Sequence, residues 1–357
     1  MKKHLNLMKG GAAVVAAAAV CLSLSASEVV IMATGGTIAG VASGAGAAVG
    51  YEAAKLGADS LVDAIAEIRK VTDVRAVQAM QLASESMTLD KLFELADKVR
   101  DELRKESVSG VVITHGTDTL EETAYFLNLV LDTEKPVVCV GAMRPATAYG
   151  ADGPANLYDA VVVAASPKVR GLGVLIVMNN TLIPARYAYK GSTIRPSSFI
   201  GGEEVAVGSV TSGRVFVNAA PVPRHTTKSE FRGMVRAGQE IPRVEVVYCC
   251  GGEDAAMIEG AIEHGAKGVV LACVGDGSIS AQMRPKVKEL AAGRGFPIVR
   301  SSRVPTGPVV RNGEANDDEY KTVPAGSINP AKSRVLLTLC LMRGYDHRQI
   351  TAAFETH

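Results

Sequence analysis

The sequence predicts an α/β fold: a larger N-terminal domain whose mainly parallel sheet is covered by helices, and a smaller C-terminal α/β domain. Three observations predict it. Short apolar runs rich in β-branched residues recur at Val29 to Ala33, Val111 to Ile113, Pro136 to Gly141 and Gly173 to Met178. Segments with apolar residues at helical spacing separate several of them, the pattern of parallel strands joined by crossover helices. After a polar stretch from His225 to Gly238, the alternation restarts with Val244 to Tyr248, Gly268 to Cys273 and Pro297 to Val299. The expected boundaries are a signal peptide over 1–27, a catalytic domain over 28–218, a linker over 219–241 and a second domain over 242–357.

The 357 residues are 47% hydrophobic and 21% charged, with net charge +1, enough chain for about two domains with ample core. Lys and Arg are spread along the chain and aromatics are few, so the basic stripe of a nucleic-acid binder is missing. A small-molecule site is expected. Lys2, Lys3 and Lys9 precede an apolar run from Gly11 to Leu24 and small residues Ser25, Ala26 and Ser27, the layout of a secretory signal. The alternative is a membrane anchor, but the run is shorter than the roughly 20 residues that span a bilayer. A free periplasmic or secreted protein is expected. Beyond the signal lie Cys139, Cys249, Cys250, Cys273 and Cys340, with no metal-ligand spacing. Most read as buried small hydrophobes, the adjacent Cys249 and Cys250 stay open, and neither metal nor cofactor is expected.

In chain order, the first strand ends in Thr34-Gly35-Gly36-Thr37-Ile38-Ala39-Gly40. Two glycines at a strand end permit a tight turn and close ligand approach, with Thr37 as the first reactive side chain beyond it. The glycine order is not that of a dinucleotide fingerprint. From Gly40 to Gly57 the chain is rich in Gly, Ala and Ser, a surface loop that can act as a lid, with Tyr51 alone in it. Leu61, Ile65 and Ile68, then Leu92, Leu95, Val99 and Leu103, mark helices, with Ser84 and Glu85 in the connection between them. The run Gly110 to Thr119, Gly-Val-Val-Ile-Thr-His-Gly-Thr-Asp-Thr, reads as a buried strand turning into a helix over Leu120 to Leu131. At such a turn Thr117 and Asp118 sit where ligands bind, although Thr119 with Glu122 also fits a plain capping box. Further helices are expected near Ala155 to Ala165, Asp254 to His264, Ala281 to Ala291 and Asn329 to Arg343.

The two stretches Thr34 to Gly40 and Gly110 to Thr119 together resemble both signature motifs of the bacterial type II L-asparaginases and glutaminase-asparaginases. The resemblance runs from Val29 to the C-terminal helix. It implies catalytic roles for Thr37, Thr117 and Asp118, for Tyr51 as the lid tyrosine, and for Lys190, which keeps the family's distance from Asn179. It implies substrate contacts from Ser84 and Glu85 to the α-carboxylate and α-ammonium groups, and from Thr117, Asp118 and Glu314, the last reaching a neighbouring subunit's site. Ser301 to Gly307 also fits. Two departures stand out: Glu85 where many members carry Gln, and Gly252 where many have an asparagine supplied by the partner subunit.

The implied chemistry is hydrolysis of the side-chain amide of L-asparagine through a threonine nucleophile and an acyl-enzyme, with weaker action on L-glutamine. The implied assembly is a homotetramer of two intimate dimers. Which threonine attacks first is open. His115, the one histidine inside a motif, reads as structural. The rival readings are a glutaminase-asparaginase without strong preference, a periplasmic amino-acid-binding protein, and subunits of tRNA-dependent amidotransferases, against which export argues.

Overall fold

A computed structural model describes residues 27–42, 51–52, 57–201 and 206–357 of the chain. The signal stretch over 1–26 and most of the expected lid lie outside them. The strands are β1 (Glu28–Gly35), β2 (Val41–Ala42), β3 (Tyr51–Glu52), β4 (Asp73–Leu82), β5 (Val108–Thr114), β6 (Val137–Val140), β7 (Val174–Met178), β8 (Thr181–Pro184), β9 (Tyr189–Lys190), β10 (Phe199–Ile200), β11 (Gly208–Thr211), β12 (Arg214–Val217), β13 (Val244–Tyr248), β14 (Gly268–Cys273), β15 (Ile298–Ser302) and β16 (Val323–Pro324). The helices are α1 (Ala58–Asp63), α2 (Leu89–Leu103), α3 (Leu120–Val130), α4 (Gly153–Ala165), α5 (Ala256–Glu263), α6 (Arg284–Lys288), α7 (Asp317–Tyr320), α8 (Pro330–Met342) and α9 (His347–Thr356).

The larger sheet has the order β12-β11-β8-β7-β6-β5-β1-β4. Strands β4, β1, β5, β6 and β7 run parallel, and β8, β11 and β12 extend the sheet antiparallel. Helices cover both faces, so the central strands are apolar on both sides. In β1, Val30 and Met32 join the core formed with α2 and α3, whereas Val29, Ile31 and Ala33 join the opposite core with α4. The smaller sheet is parallel, β13-β14-β15-β16. Helices α8 and α9 pack on one face of it and share the α2/α3 core, while α5 and α6 cover the other face.

The central strands match the sequence expectation, and the elements at the margins do not. Strand β4, Asp-Val-Arg-Ala-Val-Gln-Ala-Met-Gln-Leu, has no apolar run because it is an edge strand with half-exposed side chains. The expected helix around Leu61 to Ile68 is α1 followed by a 3-10 turn, Ala66–Lys70. The expected helix over Ala281 to Ala291 begins only at Arg284, where Pro285 suits a first turn, and widens into a π turn, Glu289–Gly293. The capping-box alternative fails: Thr119 precedes α3 without a side-chain cap, and Glu122 instead pairs with Arg334 at 3.2 Å. Cys139, Cys249, Cys273 and Cys340 are buried, Cys250 is exposed, and all are free thiols.

In the smaller domain the fully buried Arg300 forms a two-point ion pair with Asp317, Nε to Oδ1 at 2.7 Å and Nη2 to Oδ2 at 2.6 Å. Asp317 also accepts from the Thr322 hydroxyl and the Asn312 N–H, so its charge is fully partnered. The pair ties β15 to the segment that carries Glu314. Removing one partner strands the other charge in the interior, and Asp317→Ala should cost about 3–5 kcal/mol. The double substitution Arg300→Met with Asp317→Leu should recover much of that loss, read as urea midpoints of the variants beside the parent chain.

Candidate active site

In the larger sheet β1 lies between β4 and β5, and the chain passes from β1 to β4 on one side before returning to β5 on the other. Such a reversal opens a crevice at the carboxyl ends of the two strands. The Gly36-Thr37 turn ends β1, and the Gly116-Thr117-Asp118 turn follows β5. The two turns touch backbone to backbone. Gly36 has φ +80°, and a Cβ placed there would lie 2.2 Å from the Gly116 nitrogen, so only glycine is accommodated. A Cβ on Gly116 would lie 2.5 Å from Ser84 Oγ, which brings a third loop into the cluster.

Hydrogen bonds strap these loops together. The Thr34 hydroxyl donates to the Thr114 carbonyl at 2.8 Å, and the Thr119 hydroxyl donates to the Ser84 carbonyl at 2.8 Å. Thr119, whose spacing suggested a helix cap, therefore ties two site loops together. Thr37, Ser84 and Thr117 are all buried. Lys190 reaches the cluster from β9, paired antiparallel with β10. Its Nζ donates to Thr117 Oγ1 at 2.8 Å and to Asp118 Oδ1 at 2.5 Å. The Asp118 side chain is 65% exposed, which leaves carboxylate surface open to a cationic ligand group.

Glu85 is exposed on the same 3-10 turn as Ser84, Ser84–Ser86. Glu314 is exposed in the smaller domain. Tyr51 pairs through its backbone with Ala42 in the short β2–β3 ladder after Thr37, and its side chain lies outside what the structure describes. One participant was absent from the sequence expectations: the Glu121 carboxylate accepts from the Lys190 N–H and from Asn329 Nδ2, both at 2.9 Å. No local signal marks a contact between residues so far apart in the chain. Among the described residues no His, Cys, Asp and Glu cluster could hold a metal ion.

His115 is fully buried beneath the β5 turn. Its Nδ1 lies 2.7 Å from the Gly116 carbonyl, so that nitrogen carries the proton, and Nε2 accepts from the Thr123 hydroxyl at 2.9 Å. Burial pushes its pKa down to about 4. The unfolded chain therefore takes up this proton before the folded one as pH falls. The contribution of His115 to stability is complete above about pH 6.5 and is lost between about 6.5 and 4, by about 3 kcal/mol. Urea midpoints at pH 7 and pH 4 should fall less for His115→Gln than for the parent chain; an equal fall would contradict this account.

The family model described as "Asparaginase, N-terminal" matches residues 28–223, and that for the "Glutaminase/Asparaginase C-terminal domain" matches 243–354. The chain is 42% identical over 331 residues to a glutaminase-asparaginase of Acinetobacter glutaminasificans, covering 92% of this chain and 99% of that one. It is 37% identical over 335 residues to L-asparaginase 2 of Escherichia coli (strain K12), covering 94% of both. Among solved structures, a probable cytoplasmic L-asparaginase from Campylobacter jejuni superposes with TM-score 0.87 at 36% identity, covering 93% of this chain and 100% of that one. With both halves matched and relatives aligned nearly end to end, the chain belongs to the asparaginase family.

Proposed function

We propose that the protein hydrolyses the side-chain amide of L-asparagine to L-aspartate and ammonia, with weaker action on L-glutamine. The observation that carries the reading is the Lys190 ammonium donating to both Thr117 and Asp118 where the two signature turns meet. Thr37, with Tyr51 assisting from the lid, attacks the amide carbon; ammonia leaves and a β-acyl ester of Thr37 remains. Water then attacks the ester, giving a proton to the Thr117 oxygen as the Thr117 hydroxyl proton passes to the departing Thr37 oxygen, which frees L-aspartate and restores both threonines. Lys190 stabilises negative charge on the Thr117 oxygen, and Asp118 holds Lys190 in place. The substrate ammonium lies against Asp118 and Glu85, its carboxylate against Ser84, and Glu314 completes the site of a neighbouring subunit. This arrangement selects free amino acids over peptides. The protein acts as a homotetramer in the periplasm, where its substrate is free asparagine. Among the described residues no helix is long and apolar enough to cross a membrane.

A second reading has its own support. The glutaminase-asparaginases of Acinetobacter glutaminasificans and Pseudomonas fluorescens biotype A are 42% and 41% identical to this chain, against 37% for L-asparaginase 2 of Escherichia coli. A single methylene distinguishes the two amides and is worth only about 1–3 kcal/mol in a fitted pocket. Comparable turnover of both is therefore the natural alternative.

Ammonia release from L-asparagine and L-glutamine tests these readings. Thr37→Ala and Thr117→Ala should each lower kcat about 10³-fold or more, and Lys190→Met about 10²–10⁴-fold. Equal kcat/KM on the two amides would favour the second reading. Asparagine bound without ammonia release would leave an amino-acid-binding protein.

A further inference from the structure

We propose that the first turn of α8, in the smaller domain, positions Lys190 for the reaction through Lys332 and Asn329. The proposal rests on the amidase reading above and assigns the second domain a task within its own chain's site. Strand β9 is two residues long and, among the described residues, pairs only with β10, so its own ladder gives Lys190 little hold. The grip comes from outside. Lys332 is 2% exposed, and its Nζ donates to the carbonyls of Arg186 at 2.6 Å and Ala188 at 2.8 Å, the turn that leads into Lys190. The ammonium also faces the Tyr125 ring, 6.0 Å from its centroid.

A second arm starts from the same turn. Asn329 caps α8 by accepting from the Lys332 N–H at 3.0 Å, and its Nδ2 donates to Glu121 Oε1 at 2.9 Å. The other Glu121 oxygen accepts the Lys190 N–H at 2.9 Å. Residues 186–190 are thus held from two sides by one helical turn, once through backbone carbonyls and once through the Lys190 amide itself. Arg186 is anchored in the same region, with Nε to the His357 carbonyl at 2.6 Å and Nη1 to Ser327 Oγ at 2.9 Å. Burying an ammonium is costly unless it is partnered, and here its partners include two carbonyls of the turn carrying the reacting lysine. A reacting group misplaced by about 1 Å loses about 10²-fold in rate.

The test uses the full chain with Lys332→Met, which keeps the volume and removes the ammonium, and with Asn329→Ser, which keeps a capping oxygen and removes the donor to Glu121. Two readouts are needed: hydrogen exchange of the peptide spanning residues 186–190, and kcat and KM for ammonia release from L-asparagine. Exchange should speed up by about tenfold in each variant, and kcat should fall about 10- to 100-fold while KM changes by less than about threefold. In a Lys190→Ala background the same substitutions should lower kcat no further, because residues acting as one unit are not additive. Unchanged exchange would overturn the clamp. A further loss of kcat in the Lys190→Ala background would overturn its action through Lys190. If Lys332→Met does not fold, Asn329→Ser decides by the same readouts. Absence of ammonia release by the parent chain would overturn the amidase reading, and it is told apart from failure of the clamp because exchange is read without turnover.

Discussion

The contact on which the rest depends is the meeting of two glycine turns, Gly36 after β1 and Gly116 after β5. A Cβ on Gly36 would overlap the Gly116 backbone, and one on Gly116 would overlap Ser84, so the turns approach to a distance that side chains there would not allow. This closeness places Thr37 and Thr117 one residue beyond a shared backbone contact. The parallel sheet supplies the geometry: adjacent strands end at one edge, and the reversal of strand order at β1 leaves that edge open to a ligand.

Around this contact the polar groups are partnered in a graded way. Interior groups such as His115 and Thr34 are satisfied by protein, which makes the floor of the site rigid. Nearer the mouth, Lys190 shares its donors between Thr117 and Asp118, and much of Asp118 and Glu85 stays exposed. Rigid beneath and open above is the arrangement a site needs to orient a small zwitterion without first losing hydrogen bonds of its own.

The smaller domain bears on this site through α8, which packs on α3 and shares its apolar core. The first turn of α8 carries Asn329 and Lys332 to the segment holding Lys190. The Arg300–Asp317 pair ties β15 to the segment in which Glu314 faces solvent. A buried cation with oxygen partners in each place takes the role that apolar packing plays elsewhere in the domain.

The residue pattern by itself determined the central strands and the two turns. A buried parallel strand must be apolar on both faces, and a strand end against a ligand needs small residues, so both are written locally. Thr37, Ser84, Thr117, Asp118 and Lys190 were legible as candidates, though the roles of Lys190 and Ser84 came only from resemblance. Edge strand β4 was not legible, because half-exposed positions carry no apolar signature. The tertiary structure decided what spacing cannot encode. Thr119 ties two loops together where its spacing suggested a helix cap, Glu121 accepts the Lys190 N–H, and Lys332 holds the carbonyls of Arg186 and Ala188 just before it. Those interactions join groups distant in sequence, and a hydrogen bond depends on where the folded chain brings donor and acceptor, not on the residues beside either one.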